Sequence, residues 1–317
     1  MRKLIVGCGY LGRRVAARWL AQGDEVQAVT RSTEHADHLR ELGIRPIVGD
    51  VLQPETLRAL PDCDTLLYAV GRDRNSGHSQ HEVYVDGLNN VLQSLNGRVE
   101  RLIYISSTSV YGQNQGEWVD EDSPCQPTSS NGQVCLAAEQ TVWKYFSQGQ
   151  PAIATPTNSA TGPDSRVTDS RMPVGRVTSG IAHILRLAGL YGPRRLIARI
   201  ASLKAGTPLT GEPSAWLNLI HVEDAAAAVV ACEARATSRS TYVVADDLPI
   251  ERQAYYAAVA RLVGAPEPRF EERGVGETPA LNKRCRNARV REELGLSLQY
   301  PDIHSGLLDA VRDESAR

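Results

Sequence analysis

A chain of 317 residues is longer than a single hydrophobic core usually organises, which points to one large α/β unit carrying a smaller lobe. Hydrophobic residues make up 42% and charged residues 23%, the composition of an ordinary globular protein. The formal net charge of −2 leaves no basic footprint, which argues against a general nucleic-acid binder, and no stretch approaches the ~18 apolar residues of a membrane span.

Five short apolar runs open the chain: "KLIVG" (3–7), "EVQAVT" (25–30), "RPIVGD" (45–50), "DTLLYAVG" (64–71) and "ERLIYISS" (100–107). Rich in Val, Ile and Leu, they predict strands buried on both faces. Between them "YLGRRVAARWLAQG" (10–23), "STEHADHLRELG" (32–43) and "EVYVDGLNNVLQSLNG" (82–97) have the apolar spacing of helices and close on glycine. Strands alternating with helices predict parallel pairing through right-handed crossovers, hence an α/β fold with a doubly wound sheet. Residues 148–180, rich in Pro, Gly, Ser and Thr, break the rhythm and predict a loop insertion. Beyond it "IAHILRLAGLYGP" restores a strand, "HVEDAAAAVVACEAR" a helix and "TYVVAD" another strand, and "IERQAYYAAVARLVG" and "NARVREELG" read as helices of the tail. Residues 1–189 are expected to form the nucleotide-binding domain, to which 217–245 return. The stretches 190–216 and 246–317 are expected to form the small lobe.

Six cysteines, Cys8, Cys63, Cys125, Cys135, Cys232 and Cys285, are scattered without metal-ligand spacing, so they read as reduced and mostly buried. His78 and His81 have no carboxylate set around them, so no metal is expected. The apolar run at the N-terminus stops at the glycines, too short for a signal peptide, and a cytoplasmic location is expected.

"VGCGYLG" sets Gly7, Gly9 and Gly12 as G-x-G-x-x-G between a strand and a helix. Gly7 allows the tight turn, Gly9 a close approach of backbone to pyrophosphate, and Gly12 close helix–strand packing. Gly7, Gly9, Tyr10, Leu11 and Gly12 are therefore cofactor-binding candidates. An NAD-selective site has an acid at the end of the second strand, but here that end reads Thr30, Arg31, Ser32. A guanidinium and a hydroxyl would receive a 2′-phosphate that a carboxylate would repel, so Arg31 and Ser32 predict NADP(H), with NAD as the alternative cofactor. Asp50 could bond the adenine amino group with Val51 against the ring, or it could cap a helix. Ala69, Val70 and Gly71 supply a floor of small residues across which the cofactor could lie.

Taken together, "VGCGYLG", "VGDV", "YAVG", "VYVDGLNNVL", "YISSTSVYG", "LAAEQ", "ILRLAGLYGP" and "LIHVEDAA" give the chain a close resemblance to the extended and atypical short-chain dehydrogenase/reductases of the NAD(P)-dependent nucleotide-sugar epimerase/dehydratase type. The resemblance implies a Rossmann fold with a C-terminal substrate lobe and a small-molecule substrate. It also allows a homodimer paired through helices that include 127–147. It places the catalytic hydroxyl at Ser107, with Ser106 beside it at the cofactor. It also implies a Tyr and a Lys one helical turn apart, and at those positions this chain has Asn131 and Cys135. Asn131 cannot exchange a proton near neutrality and Cys135 cannot supply a fixed positive charge. Tyr111, the nearest tyrosine after Ser107, is the candidate substitute acid, with packing near the substrate pocket as its other role. The adjacent Lys144 and Tyr145 point about 100° apart on a helix and cannot jointly replace the pair. Asn218, His221 and Asp224 are expected to face or brace the substrate cleft, and Arg194 and Arg195 could meet a substrate phosphate. Two functions follow: an oxidoreductase or epimerase/dehydratase acting on an alcohol or carbonyl compound, or a non-catalytic NADP(H)-binding sensor that has lost the relay.

Overall fold

The computed structural model describes residues 1–73, 76–147, 180–271 and 281–312, so the expected 148–180 insertion lies outside them apart from Gly180. Among the described residues, seven parallel strands form one sheet: β1 (Arg2–Val6), β2 (Glu25–Thr30), β3 (Arg45–Val48), β4 (Cys63–Tyr68), β5 (Val99–Ser107), β6 (Ile181–Leu187) and β7 (Ser240–Val244). Their spatial order is β7-β6-β5-β4-β1-β2-β3. The chain therefore winds outward from β1 to β3 and then returns to the other side of β1 through β4. Connections leaving β1 and β4 diverge at the carboxyl ends of the strands, and a crevice must open there.

Helices cover both faces. On one, α1 (Tyr10–Ala21) packs against the alanine-rich α6 (Val222–Arg235), and α8 (Ala288–Leu294) lies beside α6. Val15, Ala16 and Trp19 of α1 meet Ala225, Ala226 and Val229 of α6 in one buried cluster. Small side chains on α6 let the two helices approach closely. The opposite face is covered by α3 (Gly87–Leu95) and α4 (Ser130–Ser147), whose Leu88, Val91, Leu92, Ala138, Val142 and Phe146 are buried over β4 and β5. A third cluster belongs to the segments after β6. It joins Tyr191, Leu203 of α5 (Ile197–Lys204), Tyr255 and Val259 of α7 (Arg252–Val263), and Ile303 and Leu307 of α9 (Ile303–Ala310).

The helix expected over 82–97 is interrupted. Glu82–Asp86 winds as a π-helical turn before α3 begins. The Tyr68 hydroxyl, from the end of β4, donates to the Val83 carbonyl at 3.2 Å, and such an outside donor loosens the regular ladder. Gly87 follows because any β-carbon there would lie 2.8 Å from Val51.

At the amino ends of the strands Lys3 is 2% exposed, yet it pairs with Glu233 and with Asp24 at 3.6 Å, while Thr65 donates to Glu233 at 2.6 Å. A buried ammonium is tolerable only with such partners. At the β7 edge the Val243 N–H donates at 2.7 Å to the buried carboxylate of Glu121. Among the described residues no helix is long and apolar enough to cross a membrane.

Candidate functional site

A cavity of about 1050 Å³ lies over the carboxyl ends of β1, β2 and β4 and reaches the ends of β5 and β6. It is at the upper end of the range for small-molecule sites. The glycine turn between β1 and α1 forms one wall, with Gly7 at a φ of +97°, where L-residues are strained. A β-carbon on Gly7 would lie 2.5 Å from the Ala69 carbonyl carbon, and one on Gly12 would lie 2.6 Å from the Gly7 oxygen. Gly9 has open space where a side chain would begin. Residues Gly7, Gly9, Tyr10 and Leu11 line the cavity, whereas Gly12 packs behind them. Gly9 is also the N-cap of α1, which has no side-chain cap and no acid in its first turn, leaving its first N–H groups for an anion. Tyr10 donates to the Pro193 carbonyl at 3.0 Å, and its ring is flanked by Arg14 and Arg195.

At the end of β2, Arg31 and Ser32 both line the cavity. Arg31 is exposed, while the Ser32 hydroxyl caps α2 (Thr33–Glu41) by accepting the His35 N–H at 3.2 Å. Ser32 thus has a second role, that of a helix cap. His35 lines the same end of the cavity. Asp50 is not a helix cap; its Oδ1 accepts the Leu52 N–H at 2.9 Å in a local turn, with Val51 buried beside it. Ala69, Val70 and Gly71 lie along the floor.

The chemistry expected at the end of β5 is distributed differently. Ser107 lines the cavity and its Oγ accepts the Ser109 N–H at 3.1 Å. Ser106 reaches the wall, but its hydroxyl donates at 2.6 Å to Glu139, away from any ligand. Tyr111 takes the packing role and not that of the substitute acid. It is fully buried, does not line the cavity, and its oxygen accepts from Arg186 at 2.8 Å. Burial pushes its phenol well above the ordinary range, with Arg186 opposing, so proton transfer near neutrality is suppressed. Arg186 also holds Glu139 at two points, Nε to Oε1 at 3.0 Å and Nη2 to Oε2 at 2.7 Å. The correction has a physical reason: an arginine 75 residues away draws the phenol into the core.

Asn131 and Cys135, on successive turns of α4, both face the cavity. The Asn131 carbonyl accepts from Gln80 and its amide donates to the Ser109 hydroxyl at 3.2 Å. Ser109 in turn donates to the Cys135 sulfur at 3.7 Å. Burial raises the Cys135 thiol and the Ser109 contact opposes it only in part, so the thiol stays protonated. Cys8, in the glycine turn, is pushed up to about 12 by burial. Asn131 and Cys135 are thus tied to each other through Ser109.

Of the residues expected at the substrate side, only Arg195 lines the cavity. Asn218 brackets the strand at 283–285, donating to the Lys283 carbonyl at 2.8 Å and accepting the Cys285 N–H at 2.6 Å. Asp224 accepts the N–H groups of Gln299 and Tyr300 at 2.7 and 2.9 Å. His221 is fully buried between Tyr191 and Tyr300, caps α6 by accepting the Glu223 N–H at 3.3 Å, and is kept neutral by burial. All three brace the chain beyond β7. Sequence reasoning missed His35, Arg72, Gln80 and Tyr84; only Tyr84 falls in a quoted motif, "VYVDGLNNVL", where it carried no role, while Arg72, His35 and Tyr84 line the cavity and Gln80 reaches it through Asn131.

Comparison with known proteins agrees with this architecture. The NAD dependent epimerase/dehydratase family matches residues 4–245. Over 309 residues the chain is 30% identical to Protein YeeZ of Escherichia coli K12, spanning 95% of this chain and 97% of that protein. A functionally unknown conserved protein from Silicibacter pomeroyi superposes with a TM-score of 0.72 at 28% identity, over 97% of this chain and 96% of that one. The UDP-glucose 4-epimerase of Thermotoga maritima, solved with UDP-glucose, superposes with a TM-score of 0.76 over 98% and 97% of the two chains; at 15% identity this is a likeness of fold alone.

Proposed function

Since the chain belongs to the NAD dependent epimerase/dehydratase family, we propose that it is an NADP(H)-dependent atypical short-chain dehydrogenase/reductase. Its chemistry would be oxidoreduction, or the internal redox of an epimerase or dehydratase, at an alcohol or carbonyl carbon of a small molecule. The observation that carries the reading is the glycine turn with its uncapped helix end opening onto a cavity of about 1050 Å³. That turn fits a pyrophosphate: Gly9 leaves the approach clear and the first N–H groups of α1 point to an anion. Arg31, Ser32 and His35 would surround a 2′-phosphate, and Asp50 with Val51 would take the adenine. When bound, the nicotinamide supplies or removes hydride. Ser107, at the wall nearest Asn131 and Cys135, would hold the reacting oxygen by a hydrogen bond.

One observation favours a second reading, a non-catalytic NADP(H)-binding sensor or regulator. Both ends of the Asn131 side chain are engaged by Gln80 and Ser109, so the usual catalytic position has become a structural tie. Fluorescence titration of the folded protein with NADPH and with NADH tests what the readings share. Tighter binding of NADPH is expected; binding of neither would sink both. A screen of carbonyl compounds with NADPH then separates them, since a sensor turns over none.

A further inference from the structure

With Asn131 and Cys135 tied to Ser109, and Tyr111 held in the core by Arg186, a reductase needs its proton from elsewhere. Two tyrosines line the cavity, Tyr10 and Tyr84. Tyr10 donates its proton to the Pro193 carbonyl and sits at the phosphate-binding turn. Tyr84 is different in three respects. It stands on the π-helical turn that packs against α4, the helix of Asn131 and Cys135. It is half-buried, so the ring is held while part of it reaches the cavity. Its oxygen accepts the Arg72 N–H at 3.2 Å, while its own proton has no acceptor among the described residues.

We propose that Tyr84 is the proton donor of this site, acting in place of the helix-borne pair. The proposal rests on the reductase reading above. The geometry supplies what a donor requires: a tyrosine on the wall of the ligand space, a hydroxyl hydrogen with no acceptor among the described residues, and a fixed N–H directed at the oxygen. The Arg72 N–H holds the oxygen in place at 3.2 Å, which fixes the direction in which the phenol can give its proton. Reduced nicotinamide dinucleotide is the co-reactant and supplies the hydride to the carbonyl carbon. As that carbon–hydrogen bond forms, the carbonyl π pair moves to oxygen. The Tyr84 O–H bond breaks, its proton makes the new hydroxyl, and the phenolate regains a proton from water. In the oxidative direction the same atoms move in reverse. The π-turn matters because a regular helix would rotate residue 84 relative to its neighbours, and such turns often mark functional positions.

The test uses the intact protein and Tyr84→Phe, with 9,10-phenanthrenequinone as an activated dicarbonyl probe. NADPH affinity should agree within twofold between the two. The kcat for quinone reduction should fall by ~10²–10⁴-fold in the variant with little change in KM. A second readout needs no turnover: N-acetylimidazole should acetylate Tyr84 in the free protein, mapped by peptide mass, and NADPH should protect it. A variant whose kcat stays within threefold of the parent overturns the proposal, as does acetylation of Tyr84 that NADPH leaves unchanged. Should the parent not reduce the quinone, the protection experiment decides alone. Failure of the folded parent to bind NADPH removes the reductase reading and this proposal with it, whereas binding without any effect of Tyr84 removes only the proposal.

Discussion

The Glu139 carboxylate grips the Arg186 guanidinium at two points, 3.0 and 2.7 Å, directly beneath the strand end that carries Ser106 and Ser107. Both side chains are more than nine-tenths buried, and Ser106 and Tyr111 complete their hydrogen bonding. Breaking one side of such a pair strands a charge. Glu139→Ala is therefore expected to cost ~3–5 kcal/mol, read as a lower denaturant midpoint at constant slope. The double variant Glu139→Leu with Arg186→Met should be less destabilised than either single change. A Glu139→Ala protein as stable as the parent would contradict the assignment.

Arg31 is exposed at the cavity edge beside Ser32 and His35. Arg31→Asp removes a charge-assisted bond and adds repulsion, a change of ~2 kcal/mol or more, so NADPH affinity should fall at least ~30-fold. NADH affinity should change by less than threefold. Unaltered NADPH binding in this variant would rule out a phosphate contact at Arg31.

Asp246 gives a pH dependence with a defined sign. It is buried, its Oδ2 has no partner among the described residues, and burial, reinforced by Asp247 and Asp302, pushes its carboxyl up to about 8. The folded protein thus holds a proton that the unfolded chain releases near pH ~4. The stability from this site is complete below that value, declines as the pH rises, and is lost once the pH passes about 8. The total is on the order of several kcal/mol. Asp246→Asn should flatten the slope of stability between pH 5 and 8, measured by denaturation at several pH values. A slope identical to the parent's would show that Asp246 does not titrate in this range.

Thiol reactivity should follow burial. Five cysteines are buried and Cys125 alone is half-exposed. With iodoacetamide at pH 8, Cys125 should label first, and Cys8 and Cys135 should stay unlabelled until the protein unfolds. Rapid labelling of Cys135 in the native protein would revive it as a nucleophile.

Local patterning carried the sheet. Residues 25–30 are a strand over the same six positions that the apolar run marks, and β5 begins one residue before its own run. Those strands are buried on both faces, so their side chains alone announce them. The glycine turn was legible because its three glycines fall within six residues, although the crowding that requires Gly7 comes from Ala69. What escaped depends on partners distant in the chain. The π-turn is set by Tyr68 acting 15 residues away on Val83, and Tyr111 by an arginine 75 residues off. Asn131 and Cys135 could be seen as wrong for a relay, but their link through Ser109 required the fold to bring the turn after β5 against α4. Tyr84 belongs to this class: nothing in "EVYVD" distinguishes it from a packing tyrosine.

The Glu121–Val243 bond at the outer edge of β7 bears on how this protein behaves in a crowded solution. An unpaired edge offers N–H groups to any passing extended chain, and sheets extend themselves that way into aggregates. Here a buried carboxylate, steadied by Arg289 at 3.8 Å, already occupies the middle of that edge. An incoming strand would have to displace a charged group into an apolar contact before gaining its first bond. Among the described residues the sheet ends at this guarded edge.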